Sequence, residues 1–150
     1  MTSPKRPATP VRAFVDANVL YSAALGGGIA RLWRCPGLVI VTSNYAALEA
    51  FENLGDEPDA DRCRGALSVL LADATEVVAS PAASSLANTW NLPDPGDVPI
   101  LAAAIASGCT YLVTGDKKCF GRFFDGPAID GVRIVRTGEF LRRAESGDLA

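Results

Sequence analysis

The 150-residue chain contains no histidine. That removes the usual general base near neutral pH and any His-ligated zinc site. Its four cysteines, Cys35, Cys63, Cys109 and Cys119, are far apart and form no C-x-x-C pair. Free, mostly buried thiols in a reducing cytoplasm are therefore expected. No apolar run approaches the ~18 residues needed to span a bilayer. The start, MTSPKRPATP, has Lys and Arg but no apolar stretch after it, so it does not look like a signal peptide. A soluble cytoplasmic protein with no membrane partner is expected. Basic residues are also few: 14 against 17 acidic, a net charge of −3. That balance is not expected of a protein that holds RNA by charge alone. It suits one that gathers carboxylates around a metal.

Hydrophobic residues make up 49% of the chain and charged residues 21%, a normal globular composition. Residues 1–10 carry three prolines and no periodicity, and read as a flexible arm before a single domain over 11–150. The run VRAFV at 11–15 reads as a strand stopped by Asp16. A helical stretch over 17–34 is broken by Gly26-Gly27-Gly28, predicting two helices joined by a flexible loop. GLVIVT at 37–42 reads as a strand covered on both faces, and Ser43 can cap a helix running to Leu54. A helix over 59–72 carries Leu67, Leu70 and Leu71 inward, and TEVVA at 75–79 is a further strand. VPILAAAIASG after Asp97 is apolar almost all round and reads as a buried helix ended by Gly108. Strands follow at 110–114 and 132–135, and Thr137 can cap a closing helix over 138–145. Short apolar strands alternating with helices predict an α/β fold in three layers, α/β/α, with a central mainly parallel sheet flanked by helices.

Two aspartates end strands, Asp16 after AFV and Asp116 after YLVTG. Sites in parallel α/β sheets form beyond the carboxyl ends of the strands. Glu49, in the helix after the second strand, and Asp97, at the start of the buried helix, can reach the same end. Each also has a structural explanation. Asp97 can be an N-cap, Asp116 a turn residue, and Glu49 part of a solvated helix face. Asp16 is the hardest to explain that way. Four carboxylates at one sheet end repel one another unless a cation lies between them. Ligation by oxygen alone selects Mg²⁺ or Mn²⁺ over zinc. Such an ion can orient and acidify a water and offset charge on a phosphate during in-line attack, chemistry that needs no histidine.

Four segments, FVDANVL at 14–20, TSNYAALEAFENL at 42–54, PDPGDVPILAAAIASG at 93–108 and YLVTGDKKCF at 111–120, resemble the PIN-domain nucleases over about residues 11–140. The resemblance implies that Asp16, Glu49, Asp97 and Asp116 are the catalytic, metal-binding acids. It implies Asn18 and Thr114 as polar residues beside them, with Ser43 at the margin. Asp94 is near in sequence and is read as a turn or supporting residue, although it could exchange places with Asp97. Lys117, Lys118 and Arg122 follow Asp116 and are placed to touch phosphates, or else form a solvated basic loop. Arg12, Arg31, Arg34, Arg62 and Arg64 are weaker candidates. Phe120, Phe123 and Phe124 could stack bases, with core packing expected of at least two of them.

The likeness extends to ribonuclease toxins of type II toxin–antitoxin pairs. It implies a Mg²⁺- or Mn²⁺-dependent ribonuclease with a protein antitoxin as partner and a homodimer through helices of the first half. The alternative is a non-catalytic PIN-fold module binding RNA or protein, and the four filled acidic positions argue against it. An aspartyl phosphatase would need an acid two residues after Asp16, where Asn18 stands.

Overall fold

The computed structural model describes residues 10–80 and 95–149. Five parallel strands form one sheet in the order β3-β2-β1-β4-β5, with β1 Val11–Val15, β2 Leu38–Ser43, β3 Glu76–Val78, β4 Tyr111–Thr114 and β5 Arg133–Arg136. The expected α/β/α architecture is present, with helices flanking the sheet. The N-terminal arm lies outside the described residues apart from Pro10, and so does Asp94.

The strand order decides where a site can form. From β1 the chain steps outward through β2 to β3, then returns to place β4 on the other side of β1. Neighbouring connections therefore diverge between β1 and β4. A crevice opens beyond the carboxyl ends of those two strands. Asp16 and Thr114 stand at those ends.

The helices are α1 Ala17–Ala24, α2 Asn44–Leu54, α3 Ala60–Ala74, α4 Val98–Ala106, α5 Lys117–Phe120 and α6 Thr137–Ser146. α1, α2 and α3 pack on one another, and α4 packs on β2 and β4. As its sequence implies, α4 is buried nearly all round, at Val98, Ile100, Leu101, Ala102, Ala103 and Ala104. Gly108 takes the left-handed conformation just beyond it, at φ +70°.

Four local expectations change. The segment after the glycines is a 3-10 helix, Gly28–Arg34, rather than a second α-helix. Its buried residues, Ile29 and Leu32, are three apart and so stack on one face at three residues per turn. Thr137 is the first residue of α6 rather than its cap; Arg136 takes the cap position without a side-chain cap bond. On α3, Cys63 and Leu67 are the buried pair, with Leu70 and Leu71 only partly covered. The basic stretch after Asp116, read as a loop, is helical: α5 and a 3-10 turn, Gly121–Phe123. The cysteines are free, and all but Cys35 are buried. Among the described residues, no helix is long and apolar enough to cross a membrane.

Candidate active site

Asp16 follows an apolar strand whose last three residues are buried, and the chain turns directly into α1. Its carboxylate is only 3% exposed. Oδ1 accepts from the Ala17 N–H at 2.7 Å. Oδ2 accepts from the Thr114 hydroxyl at 2.9 Å and, more weakly, from Asn18 Nδ2 at 3.4 Å. Thr114 is fully buried at the end of β4, where its hydroxyl also accepts from the Asp116 N–H (3.1 Å) and Asn18 Nδ2 (3.3 Å). The hydroxyl thus uses its one donor and both lone pairs. Asn18 Oδ1 accepts from the Gly115 N–H at 2.9 Å, which ties the start of α1 to the end of β4.

Asp116 is a turn residue that also lines the cleft described below. Its Oδ1 caps the four-residue α5 by accepting from the Cys119 N–H at 3.1 Å, which fixes the carboxylate against the cleft. Asp97 ends a 3-10 turn, Pro95–Asp97, and makes no side-chain cap bond, so capping does not account for it. Glu49 projects from α2.

Asp16, Glu49, Asp97 and Asp116 all line one cleft of about 400 Å³, and Asn18 joins them. Asp56 is a fifth acid in its wall, and no Lys or Arg lines it among the described residues. Burial pushes the Asp16 carboxyl from 3.8 up to about 6; the nearby Glu49 and Asp116 push the same way, against the hydrogen bonds from Thr114 and Ala17. Ligand atoms of Asp97, Asp116 and Cys119 lie within 4.8 Å of one another. The donor set fits a hard divalent cation, since carboxylates dominate and a charge in their midst would relieve their repulsion. The Cys119 sulfur, missed in the oxygen-only reading of the sequence, is a poor partner for Mg²⁺ or Mn²⁺.

Residues 12–118 match the family described as the PIN domain. The chain belongs to the PIN-domain family. This PIN domain is similar in fold to PAE2754 from Pyrobaculum aerophilum, with TM-score 0.65 and 17% identity over 95% of this chain and 99% of the other. It is similar to VapBC2 from Rickettsia felis, crystallised with a DNA fragment from its promoter, at TM-score 0.58 and 16% identity over 84% and 98%. It is also similar to VapC20 of Mycobacterium tuberculosis, described as a sarcin–ricin loop cleaving toxin, at TM-score 0.50 and 22% identity over 69% and 91%. At such identities the likeness is one of fold. No curated protein matches the sequence.

Other expected site residues of the PIN domain sit elsewhere. Ser43 is fully buried and caps α2 by accepting from the Ala46 N–H at 3.1 Å; it does not line the cleft. Lys117, Lys118 and Arg122 are exposed on α5 and the turn after it. Phe120 is core, whereas Phe123 and Phe124 are half-buried under Arg122 and Arg136. Arg12 pairs with Glu76 and bonds the Ser107 carbonyl at the opposite end of the sheet. Arg31 pairs with Glu145, Arg62 with Asp59, and Arg64 bonds the Phe51 carbonyl. None of these arginines, nor Arg34, lines the acidic cleft.

Tyr21, Asn53 and Asp56 line the cleft and were not anticipated. Asn53 lies four residues after Glu49, hence on the same helix face, and that spacing was a usable signal. Tyr21 donates its hydroxyl to Glu57 from the cleft edge.

Proposed function

We propose that this PIN domain is a Mg²⁺- or Mn²⁺-dependent ribonuclease that hydrolyses RNA phosphodiester bonds and acts as the toxin of a toxin–antitoxin pair. The observation that carries this reading is the convergence of Asp16, Glu49, Asp97 and Asp116 on one cleft that no Lys or Arg lines among the described residues. Two of the acids also accept local backbone bonds, Asp16 from the Ala17 N–H and Asp116 from the Cys119 N–H, but five carboxylates around one cleft at the switch point of a sheet, one of them buried, suit a cation-assisted hydrolase. RNA as substrate is supported by the fold likeness to VapC20, a toxin that cleaves the sarcin–ricin loop. A protein antitoxin as partner is supported by the likeness to VapBC2. A homodimer in the cytoplasm completes the proposal.

In this reading Asp16, Asp97 and Asp116 hold the cation, with Glu49 binding directly or through water. A divalent cation there supplies charge neutralisation and a more acidic water. Thr114 and the Ala17 N–H fix the Asp16 carboxylate, so its geometry is set before substrate arrives. Asn18 holds the β4 end in register with α1. Lys117, Lys118 and Arg122 contact the RNA backbone. Asp94, three residues before Asp97 in the sequence, is proposed to support the site.

The test is cleavage of a mixed RNA pool by purified protein with Mg²⁺ or Mn²⁺, with EDTA, and by Asp16→Asn. Cleavage that needs the ion and disappears in the variant is expected. Full activity in Asp16→Asn would remove the assignment. A folded protein that neither cleaves nor binds metal would be a binding module.

A further inference from the structure

A second cleft of about 320 Å³ lies just beyond β4. Thr114 and Gly115 at the end of that strand line it, and its wall carries Lys117, Arg136 and Arg142 against a single acid, Glu139. Its aromatic face is Phe124, with the Arg136 guanidinium 5.1 Å from the ring centroid. Lys117 and Arg142 are exposed, and among the described residues neither forms an ion pair; Arg136 makes only a loose one, 3.7 Å to Asp125. The first turn of α6, Thr137 and Gly138, completes the wall and adds backbone N–H donors of a helix start that lacks a side-chain cap.

The two clefts are joined. A depression lined by Asn18, Ser22, Gly115, Asp116 and Thr137 touches the acidic cleft through Asn18 and Asp116 and the cationic one through Gly115 and Thr137. Gly115 is the floor of the passage. A Cβ there would stand 3.4 Å from Asn18 Oδ1 and 3.6 Å from Thr137 Oγ1, filling the space between them.

We propose that this cationic cleft binds the phosphate next to the scissile one on the same single RNA strand, with the Phe124 face taking the adjoining base. The inference rests on the nuclease reading above and gives that site a second subsite. A strand laid across Gly115 would have one phosphate among the carboxylates, where a cation must mediate. The next phosphate would lie among Lys117, Arg136 and Arg142, where none is needed. Guanidinium groups suit phosphate bidentately, and an aromatic face suits any base. This also accounts for strand binding by a chain of net charge −3.

The test compares two substrates: a hexaribonucleotide, and bis(p-nitrophenyl) phosphate, a phosphodiester with no flanking nucleotide. The variant is Arg136→Ala/Arg142→Ala. Arg142→Ala alone, an exposed change, serves if the double variant does not fold. Arg133→Ala, the loss of one charge at the opposite end of β5 and equal to that of Arg142→Ala, is the control. For the hexamer, KM should rise about tenfold with kcat within about twofold, the loss expected for one or two charged hydrogen bonds. Hydrolysis of the small diester and both activities of Arg133→Ala should not change. An unchanged hexamer KM, or equal losses on both substrates, would overturn the subsite. If the wild type cleaves neither substrate, the nuclease reading fails separately. The groove is then judged by anisotropy of a labelled hexamer in EDTA. A salt slope shallower by about 0.7 for each lost phosphate contact would uphold it, and identical binding would overturn it.

Discussion

The acidic and cationic clefts are joined just beyond β4 but are built by different means. In the acidic cleft the key side chain is 3% exposed and its oxygens are held by the Ala17 N–H, the Thr114 hydroxyl and Asn18. In the cationic cleft the charges sit on long exposed stems, Lys117 and Arg142, with few fixed partners. A metal site needs its donors fixed to within fractions of an ångström, so it belongs on buried strand ends. A phosphate–cation contact tolerates motion, so it can be made by flexible side chains. The net charge of −3 averages over the two and describes neither.

The largest effect should come from the fixed side. Asp116→Asn is expected to lower RNA cleavage about a thousandfold, the loss of several kcal/mol of charge stabilisation, as read by single-turnover rates. A loss under tenfold would make the acidic cleft no more important than its neighbour.

The second effect is on stability. Asp16 holds its proton more tightly when folded, with its pKa raised from 3.8 to about 6. Its contribution is therefore fully present below pH 3.8 and is lost as pH rises through about 6, an amount on the order of 3 kcal/mol. Metal-free Asp16→Asn should thus melt higher than wild type at pH 8, and the gain should vanish near pH 4. Added Mn²⁺ should stabilise the wild type more at pH 8 than at pH 5. A gain in the variant that does not depend on pH would assign the effect to something other than this carboxylate.

Thr114→Val removes the hydroxyl that links Asp16 to the Asp116 N–H. Supporting groups of this kind are worth about ten- to a hundredfold in metal affinity or activity. Thr114→Ser should recover most of the loss, measured as the Mn²⁺ concentration for half-maximal cleavage. The smallest effect is expected on the mobile side. Lys118 is exposed and lines neither cleft, so its contact with the RNA backbone is peripheral and Lys118→Ala should change hexamer cleavage less than about twofold, and less than Lys117→Ala. The reverse order would place the strand along the other face of α5.

The same contrast explains what was legible in the sequence. Asp16 follows an apolar run directly and Asp116 follows one after Thr114-Gly115, and strand ends in an α/β pattern are where chemistry is expected, so both could be named as candidates. Glu49 and Asp97 were identified through resemblance, since each alone could be a surface or cap residue. Asp56, in the connection GDEP at 55–58 between α2 and α3, and Cys119 come to the cleft region only through folding, because neither has a periodic neighbour to give it away. Arg136 and Arg142 were not anticipated for the same reason. One ends β5 and the other lies on α6, and only the turn between them brings both beside Lys117. The 3-10 segment after the glycines was missed because apolar residues three apart fit either helix type.

The most direct test is calorimetric Mn²⁺ binding at pH 8 without RNA, on the wild type, on Asp16→Asn and Asp116→Asn, and on Arg136→Ala/Arg142→Ala. The account predicts binding by the wild type and by the double arginine variant, and its loss in both aspartate variants. A wild type that binds no Mn²⁺, or aspartate variants that bind it equally well, would contradict the assignment of the acidic cleft as a metal site.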